Sequence, residues 1–158
     1  MAKRVVVLTS SRELPGYIGE LTRRMARHLK DAERENIQDA LTEAEDLSKG
    51  RFTPYEIRRL HPYSRSNSRL SVSIDPAYIN VDTSKFLSSW RIIAPRIDSQ
   101  RNYRTSLVND DPKARFLLAE GGTRHMIERP LGKRVVERIR IRVQKRRRDA
   151  VSKALQGT

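Results

Sequence analysis

An amphipathic stripe of roughly thirty residues constrains this chain more than any other feature. From Ile18 the apolar positions run Leu21, Met25, Leu29, Ala32, Ile37, Ala40, Leu41, Ala44 and Leu47, in steps that are mostly three and four. That spacing puts them on one face of an α-helix. Pro15-Gly16 punctuates the start, and Ser48-Lys49-Gly50 supplies a stop. At 1.5 Å per residue, about thirty helical residues reach ~45 Å. A globule of 158 residues does not cover that length, so part of the helix is expected to meet a neighbouring subunit.

Charge is the second constraint. Net charge is +14, with +2 in residues 1–16, −2 in 17–49, +5 in 50–123 and +9 in 124–158. A basic segment of this kind points to nucleic acid, an anionic surface or an acidic protein partner, or is a solvated helix face. Apolar residues make up 37% and charged residues 33%. The core is therefore thin, and the chain is expected to need partners to cover its remaining apolar faces. With no cysteine, disulfide frameworks and thiolate metal sites are excluded. The apolar run Val5-Val6-Val7-Leu8 is too short for a signal-peptide core or a membrane span. The expectation is a protein made and used in the cytoplasm or released by lysis, with no membrane contact.

The remaining chain reads as a single α+β domain over residues 15–158, preceded by an N-terminal arm or short strand over 1–14. Thr53-Pro54 predicts a second, brief helix with Thr53 as cap, halted by His61-Pro62. Residues 63–76, rich in Ser, Arg and Asn, predict an exposed loop, and residues 78–81 are extended. Residues 89–94 and 102–108 have strand character and are separated by a polar stretch of hairpin length, giving a small antiparallel sheet. Asn109-Asp110-Asp111-Pro112 signals a turn into a short helix over 113–119, closed by Gly121-Gly122. Leu131, Val135, Ile139, Val143, Ala150 and Ala154 then recur at helical spacing. Residues 138–143 also fit a strand, because Ile139, Ile141 and Val143 alternate with arginine.

Residues that could carry catalysis are sparse. His28, His61 and His125 show no metal-ligand spacing. The acids Asp31, Glu33, Glu35, Asp39, Glu43, Glu45 and Asp46 share the long helix, as a solvated or intersubunit face. No serine sits in a nucleophile elbow, and Gly121-Gly122-Thr123 lacks the lysine of a phosphate loop. The expectation is no catalytic residue, no metal and no cofactor. Between residues 131 and 155, ten Lys/Arg face two acids, a local excess of +8. Lys145, Arg146, Arg147 and Arg148 are the candidate contacts to DNA or to an acidic partner. No aromatic residue follows Phe116, so stacking on single strands is not expected there. Trp90 reads as a core anchor.

Two short stretches carry a resemblance. Asp82-Thr83-Ser84-Lys85-Phe86-Leu87-Ser88-Ser89-Trp90 resembles the D-T-G-x-L-x-x-S-W segment of the tail-completion, or head–tail joining, proteins of tailed bacteriophages. Glu120-Gly121-Gly122-Thr123-Arg124-His125-Met126, with Arg129-Pro130-Leu131, resembles that family's E-x-G-T-R-x-M-x-x-R-P-F-L stretch. The residues these stretches single out as structural are Asp82, Thr83, Leu87, Trp90, Gly122, Thr123, Arg124, Met126, Pro130 and Leu131. Ser84 stands where the family carries glycine, and Leu131 where phenylalanine is common. His61-Pro62-Tyr63-Ser64 is similar to one sub-group. The resemblance spans about residues 15–155 and implies a structural virion protein of the neck or tail top, assembled in the host cytoplasm. It implies a long N-terminal and a basic C-terminal helix on a small antiparallel sheet. It also implies a homo-oligomeric ring, commonly hexameric, that joins head-connector and tail proteins and lets genomic DNA pass. The competing reading from the residues alone is a small basic nucleic-acid-binding protein of ribosomal or nucleoid type.

Overall fold

The computed structural model describes residues 13–67, 84–97, 103–118 and 122–157. The fold is α+β, with a long N-terminal helix, a C-terminal helix and a two-stranded antiparallel sheet. Helix α1 spans Glu13–Ser48, beginning one turn before the expected apolar stripe. Lys49 N–H closes its last turn on the Asp46 carbonyl at 3.2 Å, and Gly50 follows at φ 73°, a left-handed stop that glycine adopts without strain. Helix α2, Pro54–Leu60, opens on a capping box: Thr53 Oγ1 accepts from Glu56 N–H, and the Glu56 carboxylate accepts from Thr53 N–H. His61 ends it in the left-handed region, and the Asn67 side chain donates to the Leu60 carbonyl at 2.7 Å.

Helix α3, Ser84–Ser88, leads into strand β1, Trp90–Ile97, which pairs antiparallel with β2, Tyr103–Asn109. The register runs from Trp90 opposite Asn109 and shifts between Ile93 and Arg96. Pro95 lies in that interval and has no N–H to give the ladder, which accounts for the irregularity. Asn109 Oδ1 accepts from Asp111 N–H, and Asp111 Oδ1 from Lys113 N–H, two successive side-chain turns. They set up α4, Ala114–Leu117, which is shorter than the helix expected over 113–119. The last helix, α5, spans Leu131–Gln156 without interruption, so residues 138–143 are helical. A strand would put Ile139, Ile141 and Val143 on one face; instead Ile139 is buried while Ile141 is 80% exposed.

Contacts divide the chain into two compact units, and α1 and α5 contribute to both. The first comprises Met1–Asn36 with Arg140–Thr158. In it the two helix segments run antiparallel, and the residues buried along them are small: Ala32, Asn36, Ala150 and Ala154. The second unit, Ile37–Ile139, buries Ala40, Ala44, Leu47 and Ser48 of α1, Tyr63, Phe86, Ala114, and Leu131, Val135 and Ile139 of α5. Side chains of the size of Leu47 and Phe86 each contribute about 1.5–3 kcal/mol when fully buried. A lone hairpin is marginal in water, so β1 and β2 depend on that core. Tyr63, expected to open an exposed loop, is buried together with Pro62. Of the arm or short strand expected over 1–14, Glu13 and Leu14 instead begin α1; the rest of it, the extended residues 78–81 and most of the 63–76 loop lie outside the described residues.

Candidate functional site

The second motif stretch forms a closed joint with residues 63–65. Ser64 pairs antiparallel with Met126, Ile127 N–H donates to the Tyr63 carbonyl and Arg65 N–H to the His125 carbonyl, each of these two bonds at 3.0 Å. Arg65 Nε then donates to two carbonyls of the facing segment, Thr123 at 2.8 Å and Met126 at 3.1 Å. Thr123 is held twice, its N–H on the Met126 carbonyl and its Oγ1 accepting Met126 N–H. Gly122 sits at φ 76°, and a Cβ there would come within 2.6 Å of the Met126 carbonyl oxygen. Glycine is required both by the backbone conformation and by that approach. Arg124 is exposed beside this joint. Leu131, at the position where phenylalanine is common, is buried to 3% exposure and begins α5. The Pro130 carbonyl accepts the N–H of Arg134.

Arg129 ends this segment in an unusual environment. Only 5% of it is exposed, and its Cζ lies 3.8 Å from the centroid of the Tyr63 aromatic ring. Phe52 meets the same ring edge-on at 6.1 Å. Nε of Arg129 is buried with no hydrogen-bond partner. Burial pushes the guanidinium pKa down and the Tyr63 hydroxyl up. A cation over an aromatic face is worth about 2 kcal/mol when desolvated, while an unmet buried donor costs about 1–3 kcal/mol and more on a charged group. The tyrosine face thus offsets the charge burial without supplying an acceptor to Nε.

The first motif stretch also ends in packing. Asp82 and Thr83 lie outside the described residues. Leu87 is half-buried in α3, and Phe86 meets Trp90 edge-on at 6.0 Å. Trp90 Nε1 donates at 3.0 Å to Ser48 Oγ, which itself donates to the Ala44 carbonyl at 2.6 Å. One fully buried serine at the end of α1 therefore fixes the start of β1. Arg91 closes a bidentate pair with Asp110, which holds that carboxyl below the usual carboxylate range.

The basic run divides into two kinds of side chain. Arg146, on the buried stripe of α5, bonds Glu35 at 3.0 Å and Asn36 Oδ1 at 3.2 Å; Arg147 reaches Glu33 at 2.6 Å. Lys145 and Arg148 are exposed and make no ion pair with described residues. In the second unit Arg138 spans Glu43 at 3.0 Å and Asp46 at 3.2 Å. Glu33, Glu35, Glu43 and Asp46, from the face expected to be solvated or intersubunit, thus pair with α5 of their own chain. Among the described residues, no group of three or more His, Cys, Asp or Glu could hold a metal ion, and no helix is long and apolar enough to cross a membrane.

The chain matches no protein-family profile, no curated protein and no solved structure. The geometry reveals pairings that the sequence reading did not make: Tyr63 and Arg65 with the second motif, Ser48 with Trp90, and the acids Glu33, Glu35, Glu43 and Asp46 with Arg147, Arg146 and Arg138. The one available signal was periodicity, since Arg146 falls on the stripe through Ile139, Val143 and Ala150 and so lies on the packed side of α5.

Proposed function

We propose that this chain is a structural assembly subunit of the head–tail joining type, forming a ring of copies, commonly six, at the neck or tail top of a tailed phage. Adjoining head-connector and tail proteins would stack on it and DNA would pass through it. The observation that supports this most is how the two motif stretches are spent. Gly122, Thr123 and Met126 lock a backbone joint, and Trp90 locks the end of α1, so the motif residues fix shape rather than line an open pocket. Large apolar side chains are meanwhile left on the surface, at Ile18, Tyr55, Phe116, Val136, Ile141 and Leu155. A closed ring of copies is one way to cover such side chains. Imaging of the purified full chain tests the reading: rings with an axial opening are expected, and isolated particles of one chain would overturn it.

Nucleic-acid binding is the second reading, favoured by the exposed Lys145 and Arg148. If these two side chains hold phosphates, Lys145→Ala and Arg148→Ala each reduce the slope of log affinity against log salt by about one. An unchanged slope removes both from the contact. Arg146 and Arg147, already engaged by acids, are expected to contribute less.

A further inference from the structure

We infer that Arg129 receives a carboxylate side chain from a second copy of this chain, and is one of the contacts through which copies join. This rests on the assembly reading above and assigns a single residue to it. Arg129 is more than nine-tenths buried, and its guanidinium lies over the Tyr63 aromatic ring. No oxygen accepts from its buried Nε. A π-face offsets positive charge, but it does not supply the acceptors that five N–H donors call for. Such a side chain is a half-made interaction.

The surroundings favour an anion there. Backbone bonds on Tyr63, Arg65 and Ile127 fix the two strands of the joint, so the cation is held in place before any partner arrives. α5 begins two residues later, with no acid in its first turn and with Lys133 and Arg134 close to its positive end. A planar guanidinium held in place takes a two-oxygen anion best. Burial then selects the source. The phosphates of a duplex ride on a backbone too bulky to approach a group this enclosed, whereas one slender Asp or Glu side chain can reach it. In the proposed ring, copies of this chain flank one another around the axis, and a carboxylate of a flanking copy is the source assigned to Arg129.

The test uses the full chain, wild type and Arg129→Met, with oligomeric mass followed by light scattering over a dilution series. Melting of the dissociated chain is recorded alongside. Methionine fills similar volume without the charge, so the dissociated variant is expected to melt at or above the wild-type temperature. Half-assembly is expected to need at least about tenfold more protein. A purely structural arginine would instead lower the melting temperature. A wild type that assembles, with a variant that assembles equally well, overturns this inference and leaves the ring standing; a wild type that stays a single chain overturns both. If the variant loses duplex binding while its assembly is unchanged, phosphate is the occupant and the carboxylate assignment falls. Should Arg129→Met fail to fold, Arg129→Lys keeps the charge without the planar fork. It is expected to retain the wild-type fold and weaken assembly severalfold, and unchanged assembly again overturns the inference.

Discussion

Replacing Gly122 by alanine tests the motif joint at its tightest point. The new Cβ would lie 2.6 Å from the Met126 carbonyl oxygen, 2.7 Å from Glu128 N and 2.8 Å from Ile127 C, all backbone atoms. None can move alone, because Ile127 N–H is bonded to the Tyr63 carbonyl and the Met126 carbonyl accepts from Thr123 N–H. A side chain in the left-handed region costs about 1–2 kcal/mol, and crowding a packed site adds about 1–3 kcal/mol. Together these give a loss of about 3 kcal/mol. At 158 residues, each kcal/mol moves the melting temperature by about 2–4 °C, so the variant is expected to melt about 6–12 °C below wild type. Gly132→Ala is the internal control: nothing lies within 4 Å of its Cβ and it sits in α5. Alanine there is expected to stabilise by about 0.5–1 kcal/mol. Differential scanning calorimetry of both variants decides the matter. Gly122→Ala melting within about 2 °C of wild type would refute the closed joint.

Three further outcomes follow from the same geometry. A double-mutant cycle on Arg138 with Glu43, both partly buried, is expected to give a coupling of about 1 kcal/mol or more. The same cycle on the more exposed Arg147–Glu33 pair should stay below that. Trp90→Phe keeps the packing on Phe86 but removes the donor to Ser48, so a loss of about 1 kcal/mol is expected by urea titration; no loss would show that the bond adds nothing. Glu20, Glu56 and Asp110 ionise more readily in the folded chain, held by Arg24, by the Thr53 cap and by Arg91. Their contribution is complete above the ordinary carboxylate range and is lost as pH falls through their lowered folded values, so stability should decline on the acid side of about pH 4. NMR titration of these three carboxyls checks the direction.

The helices were legible in the sequence because their signals are local. The three- and four-residue steps of α1, the Thr53-Pro54 cap of α2 and the stripe from Leu131 each need only neighbouring residues to be read. The strands were legible from β-branched and aromatic runs, although the irregularity at Pro95 was not. What escaped was pairing between distant segments. Nothing near Tyr63 shows that its carbonyl serves Ile127, or that its aromatic ring carries Arg129. Polar composition around residues 63–76 predicted exposure, but Tyr63 and Pro62 are large apolar surfaces at the beginning of that segment and are buried. The acids of α1 were visible as a face, but which chain answers them depends on how α1 and α5 lie, a relation no local signal carries.

The central claim is that the chain is built to be covered by copies of itself, and its mass in solution tests that most directly. Native mass spectrometry of the purified protein is expected to show a closed oligomer, about six times the 18.3 kDa of one chain. A species of 18.3 kDa that persists at every concentration and salt condition would contradict the account.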